Sequence, residues 1–248
     1  MKGKKAMRKL TLEALDSRMQ NHAKDNLLFT FGVMKSATLA VASLVLYQLS
    51  ADVWRGNSYA KSRLVAWAAS FFVTWLTYNN VSAMSNLTTY ETKGSDIFFL
   101  FLKTPIEMLL FLVLQFEPGW YAWPLLYGAI TGISHFKIRR FVEIMQSDGY
   151  DPVMRPLLSR IINDAAKGDL PGTLWSSVTF SVSSIAALAL FRMHVVSSNF
   201  MAIFSLCASI IAFVPIKLAL LTGDKIRAEI LAVLEKNQEK SMAADKAA

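Results

Sequence analysis

The chain contains one cysteine, Cys207, and three histidines in 248 residues. A single thiol cannot close an intrachain disulfide, so no covalent framework holds this protein. His22, His135 and His194 stand far apart, which argues against a metal site, and neither HExxH nor GxxxxGK[ST] occurs. We therefore expect neither metal nor cofactor. Gly132-Ile133-Ser134-His135 resembles a serine-nucleophile setting only superficially. It lacks the following glycine, and no second histidine lies inside an apolar run. Paired carboxylates and nucleophile–base sets are also missing, so an enzyme is not expected.

Charge is the other shortage. Only 18% of residues are charged, against 54% hydrophobic, and mean hydropathy is +0.36. A soluble domain carries about 25% charged residues. The few charges here gather into short segments, which marks an integral membrane protein rather than a greasy soluble one.

Six apolar segments fall at about 27–50, 64–84, 97–116, 120–136, 173–192 and 196–221. A span needs roughly 20 apolar residues to cross a hydrocarbon core of about 30 Å. The pattern predicts an all-α polytopic protein of about six spans. Its expected divisions are a basic N-terminal segment (1–26), spans one to four (27–136) and an amphipathic hairpin (137–171). Spans five and six (172–222) and a C-terminal helix and tail (223–248) follow. Gly94-Ser95-Asp96 reads as a helix cap, Glu117-Pro118-Gly119 as a turn, and Gly223-Asp224 as a break or bend in the sixth helix. Residues 1–26 read as a surface helix. The hairpin's second helix is expected to stop at Gly168, and the last ten residues to fray. The N-terminus stays polar until Asn26, so the first span is expected to remain in the mature protein.

The net charge is +8. In a membrane protein this reflects cytoplasmic flanks and anionic lipid, so direct nucleic-acid binding is not expected. Residues 1–26 hold seven Lys/Arg, 137–170 six and 217–248 six. Six spans with both termini inside place these three segments together, as the positive-inside rule requires. Arg55, Lys61 and Arg63, in the first outer loop, are the discordant group. Trp54, Tyr59, Trp120, Tyr121 and Trp123 are expected at the outer interface. The compact spans and short loops suit a bacterial inner membrane.

Chemistry inside the spans centres on Lys103-Thr104-Pro105-Ile106-Glu107, near mid-bilayer. Lys103 and Glu107 lie one turn apart and could neutralise each other, while Pro105 frees a backbone carbonyl. Two readings stay open: an ion or ligand site, or a structural ion pair. Lys35, Lys217, Asn79 and Asn80 fall on the same side and could line a cytoplasm-facing vestibule or an anionic head-group site. Snorkelling is the simpler account of Lys35 and Lys217. Gly128 and Gly132 form a GxxxG, and Ser205 and Ser209 add small positions where helices can approach closely. Lys137, Arg139, Arg140, Arg155 and Arg160 form an expected docking surface for lipid head groups or a partner.

These features lead to the expectation of a non-enzymatic membrane subunit in a homo-oligomer or multi-protein complex, for which secretion or DNA-transfer machinery is one setting. A small channel or transporter using Glu107 and Lys103 is the alternative. Alkaline carbonate washing is expected to leave the protein in the membrane pellet. Its recovery as a monodisperse, detergent-free cytosolic protein would overturn the class.

Overall fold

A computed structural model describes residues 12–87, 94–145, 159–160, 163 and 165–247. The described residues include the α-helices α1 (Leu12–Trp54), α2 (Ala60–Leu87), α3 (Gly94–Leu112), α4 (Trp123–Met145), α5 (Leu170–Arg192) and α6 (Ser198–Ala247). Short 3₁₀ turns cover Val113–Gln115 and Gly119–Ala122, and a π-turn, Ala165–Asp169, leads into α5. No strand occurs among the described residues.

All six apolar segments are thus helical. Three stretches are long and apolar enough to cross a membrane: Phe29–Trp54, Ala166–Arg192 and Ser198–Leu218. The other three helices fall short of that measure for local reasons. Asn79, Asn80, Ser82, Ser85 and Asn86 dilute α2, Lys103 and Glu107 interrupt α3, and α4 reaches Lys137 after fourteen residues.

The helices run further than the sequence suggests. The expected surface helix and first span are one rod, because neither glycine nor proline interrupts residues 12–31. Its 43 residues span about 65 Å at 1.5 Å each, twice the hydrocarbon thickness. Likewise α6 passes through Gly223-Asp224 without a break and ends only at Ala247, so the tail is helical rather than frayed. One interior glycine costs about 1 kcal/mol, too little to end a helix that hydrogen-bonds on both sides. Helix also continues through Gly168 into α5 instead of stopping there. The expected cap at Gly94 lies inside α3. The first half of the hairpin behaves as expected, since α4 extends through 137–145. The turn at Ser147-Asp148-Gly149 and the start at Asp151-Pro152 lie outside the described residues.

Real breaks are built from backbone. At the end of α1, Gly56 takes φ +76°, and the N–H groups of Gly56 and Asn57 return to Val53 O and Asp52 O, both at 3.0 Å. This is a Schellman closure. His194 repeats it after α5 with φ +57°, its own N–H reaching Phe191 O at 3.0 Å and that of Val195 reaching Leu190 O at 2.9 Å.

Packing is inverted relative to a water-soluble bundle. Val33, Tyr47, Val182, Ile185, Ile203, Ile211 and Val214 are exposed, whereas Lys35, Arg63, Lys103 and Glu107 are buried. Exposed aliphatic side chains on three long helices are what a lipid solvent tolerates, and buried charge is acceptable only when paired. The interior is aromatic. Trp67 meets Phe71 and Phe111 at 5.5 and 6.2 Å between ring centroids, and Tyr127 meets Trp123 and Phe180 at 5.3 and 4.8 Å. Trp120, Tyr121 and Trp123 face the protein core, at 0%, 3% and 0% exposure. The indole of Trp123 donates to Ser70 Oγ at 2.8 Å, and that of Trp67 to Ala42 O at 2.9 Å, whereas the buried Trp120 Nε1 has no hydrogen-bond partner. Trp54 alone of the expected belt stands fully outside, at 91% exposure.

The GxxxG motif is used inside the molecule. Gly128 and Gly132 receive Ser181 and Ser177 of α5, and Ser177 Oγ donates to Gly128 O at 2.8 Å. A Cβ on Gly128 would stand 2.6 Å from Ser181 Oγ and 3.0 Å from its backbone N. Ser205 and Ser209 are buried on α6, which packs on α2. These small residues therefore join helices of one chain. Gly128→Leu is expected to lower stability in detergent by about 1–3 kcal/mol through overpacking. Gly172→Ala, with no atom within 4 Å of the added methyl, should change it by less than about 1 kcal/mol. Thermal unfolding of both variants checks the α4–α5 contact; equal midpoints would refute it.

Candidate buried charge site

Four helices meet around one carboxylate. Glu107, on α3, is fully buried and forms an ion pair and hydrogen bond through Oε2 with Lys35 of α1. Lys103, one turn earlier on α3, stands 3.9 Å from Glu107 Oε1. Its ammonium donates to Thr77 Oγ1 of α2 at 2.9 Å and to Ser134 Oγ of α4 at 3.0 Å. The Lys35 ammonium also lies 5.3 Å from the Phe31 ring centroid, and Phe31 stacks on Tyr78 at 5.9 Å. Side chains from α1, α2, α3 and α4 are thereby tied through one acid and two bases.

Local helix geometry explains the arrangement. Phe31 and Lys35 are four residues apart, as are Lys103 and Glu107, so each pair shares a helix face. Both faces point inward. Glu107 Oε1 has no hydrogen-bond partner, although Lys103 lies near it. The tight bond of the carboxylate is thus to α1, 72 residues away in sequence, and not to its own helical neighbour.

Of the residues expected to form a polar site, Lys35, Lys103 and Glu107 come together. Pro105 lies between the last two on α3 but is exposed, and Lys217 is exposed on α6. Lys35 does not snorkel: it is 3% exposed and paired. The side chains of Asn79, Asn80 and Arg140, and the whole of Arg155, lie outside the described residues. In the expected docking surface Lys137 is partly buried, Arg139 is exposed, and Arg160 meets Glu229 of α6 at 3.6 Å. Thr77 was not singled out in the sequence, and Ser134 only as a nucleophile-like serine. Their inward placement on α2 and α4 is the signal that sequence spacing could have offered. His135 is engaged with α5, its Nδ1 being 2.9 Å from Leu170 O and 3.3 Å from Thr173 Oγ1.

A second buried charge lies towards the other end of the bundle. Arg63 of α2 is 1% exposed and donates to Asp52 Oδ2 of α1 and to Leu114 O, both at 3.0 Å. Asp52 also lies 3.9 Å from Arg55. Of the three discordant cations, Arg63 is thus matched by Asp52 within the protein, and Arg55, largely exposed, lies at the edge of the same carboxylate. Trp67 follows Arg63 by one turn, Phe111 follows Glu107 by one turn, and these two rings touch. Aromatic packing therefore stands between the two charge sites.

Among the described residues no group of three His, Cys, Asp or Glu side chains could hold a metal ion. No protein-family model matches the chain, and neither a curated protein nor a solved structure is significantly similar to it. Its chemistry is accordingly read from its own geometry.

Glu107→Gln strands two buried ammoniums and is expected to cost about 3–5 kcal/mol. Replacing both members of the tight pair, as Lys35→Met with Glu107→Met, should recover at least half of that loss. Thermal unfolding of single and double variants in one detergent is the measurement; additive losses would rule out the pairing.

Proposed function

We propose that the protein is a non-enzymatic, multi-pass subunit of an oligomeric or multi-protein membrane complex. In this reading α2, α3 and α4 also cross the bilayer, giving six spans with both termini cytoplasmic, in a bacterial inner membrane. The observation that carries the reading is the Trp67–Phe111 contact between the Arg63 and Glu107 sites. Charged groups on either side of an aromatic seal serve to fasten helices; they do not make a continuous conduction path.

The overhanging helices support the same reading. Residues 12–28 of α1 project about 25 Å, and residues 219–247 of α6 about 43 Å, beyond their membrane-crossing stretches. With both termini inside, these rods stand on one face of the membrane beside the basic segment 137–171. Such a face suits contacts with partner proteins, of which secretion or DNA-transfer machinery offers examples, and with anionic lipid. A channel or transporter is the second reading. The buried Glu107 Oε1 without a hydrogen bond favours it, because an open acceptor can receive a transported proton or donor.

Proteoliposomes containing the purified chain are expected to pass protons and monovalent ions no faster than empty liposomes. Cross-linking in native membranes should capture copies of the chain or a stoichiometric partner. Ion flux abolished by Glu107→Gln would decide for transport instead.

A further inference from the structure

The bundle leaves one whole face of α1 uncovered. The helix packs on α2 and α3, and Phe31, Lys35, Thr38, Ala42, Val45 and Leu49 are buried on that side. On the opposite side Phe29, Val33, Tyr47 and Trp54 are exposed at 73%, 55%, 75% and 91%. Ser36, Ala40 and Ser43 are exposed between them, and Ser50 is half-buried. These residues follow one another at alternating spacings of four and three, the three serines recurring every seven. That spacing is the a/d register of a two-helix coiled coil.

The register runs the full length of the helix. Ahead of Phe29 it holds Asn26, His22, Met19, Leu15 and Leu12, so the seam covers all 43 residues of α1, about six heptads. No Lys, Arg, Asp or Glu takes a seam position, although Glu13, Asp16, Arg18, Lys24 and Asp25 flank it. In each solvent the composition is the reverse of what that solvent favours. Ahead of the membrane-crossing stretch Phe29–Trp54 the seam is apolar, with Leu12, Leu15 and Met19. Within that stretch it is small, with Ser36, Ala40 and Ser43, where the exposed positions of α5 and α6 carry Val182, Ile185, Ile203, Ile211 and Val214. Both departures have one cause: apolar side chains drive helices together in water, and small ones let backbones approach closely in lipid. The serine hydroxyls are ready for such an approach. Those of Ser36, Ser43 and Ser50 donate to Gly32 O, Leu39 O and Leu46 O of their own helix at 2.9, 2.9 and 2.8 Å. Covering them strands no donor.

We infer that α1 forms a parallel coiled coil with α1 of a second copy of this chain. Two copies inserted the same way bring every seam position opposite its own counterpart, apolar to apolar outside the bilayer and small to small within it. Asn26 takes an a position, where an asparagine selects register and strand number. A carboxamide both donates and accepts, so it is its own complement. A foreign helix would have to reproduce the change from leucine to serine at the same depth and carry an amide at the same level. The partner also explains the strict repeat of seven. A lone straight helix drifts about 20° per heptad, and winding two together to the left removes the drift. The inference rests on the membrane topology and oligomeric reading proposed above and adds to them the surface and the partner.

The test uses the full chain in membranes. In a Cys207→Ser background, Ser36→Cys and Ser43→Cys are each expected to give a disulfide-linked dimer on mild oxidation, and Ile185→Cys on the exposed face of α5 to give none. Energy transfer between labelled copies, followed as lipid dilutes them, measures the association itself. Ala40→Ile with Ser43→Ile should weaken it at least tenfold, the range of a clash between close-packed helices. Leu15→Glu with Met19→Glu should weaken it comparably from the aqueous end. Ala40 and Ser43 are exposed in the single chain, so the thermal midpoint of the monomer should not fall, which separates lost association from lost folding. A chain that resists carbonate but neither cross-links through Ser43→Cys nor transfers energy overturns the coil and leaves the topology standing. Cross-links from Ser43→Cys only to a protein of different mass would give this face to a foreign partner and overturn the second copy, while the reading as a complex subunit survives. Extraction by carbonate would remove topology and coil together.

Discussion

The bond between Lys35 and Glu107 is the constraint to which the rest of the bundle answers. A carboxylate fully removed from water is tolerable only with a cation held against it, and that cation comes from a different helix. Once α1 and α3 are fixed in register by this pair, Lys103 has nowhere polar to go except towards α2 and α4. Thr77 and Ser134 receive it there. The ion pair is not a large net source of stability, because desolvation offsets much of its attraction. Its effect is selective: a helix rotated or shifted by one turn leaves a bare charge in the core.

Hydrocarbon as solvent explains why the remaining contacts take the form they do. Helices in lipid gain little by hiding apolar side chains from one another, so close fit and hydrogen bonds decide which faces meet. The protein uses both. Glycines on α4 accept serines from α5, indoles donate across helix boundaries, and aliphatic side chains turn outward. Arg63 shows how a positive residue near a helix end can be buried without being left unmatched. It is answered inside the protein by Asp52 and Leu114 O and so contributes little as an exposed basic flank.

Much of this was legible in the sequence, and the parts that were not share a cause. Long apolar runs announced helices, Glu117-Pro118-Gly119 announced a turn, and Lys103 and Glu107 stood out because charge inside a span is costly. Helix ends were harder to place. Gly223 and Gly168 carry a modest local penalty that neighbouring hydrogen bonds outweigh, so helix runs through both. Trp120 and Trp123 have the composition of interface anchors, yet neighbours distant in sequence enclose them. The true partner of Glu107 was also out of reach. Spacing along a helix points to Lys103, while Lys35 is close only after folding.

That separation bears on how the chain is made. Lys35 and Glu107 are 72 positions apart in sequence. At about 5–20 residues per second a ribosome needs roughly 4–14 s to bridge them. During this interval α1 is already emerging with its ammonium unanswered, and the long lysine stem can reach towards a polar head-group layer. Asp52 and Arg63, only eleven residues apart, can instead travel through the insertion machinery as a neutral couple. The Asp52–Arg63 pair is thus matched within the first hairpin, while the Lys35 ammonium is answered only when the third helix arrives.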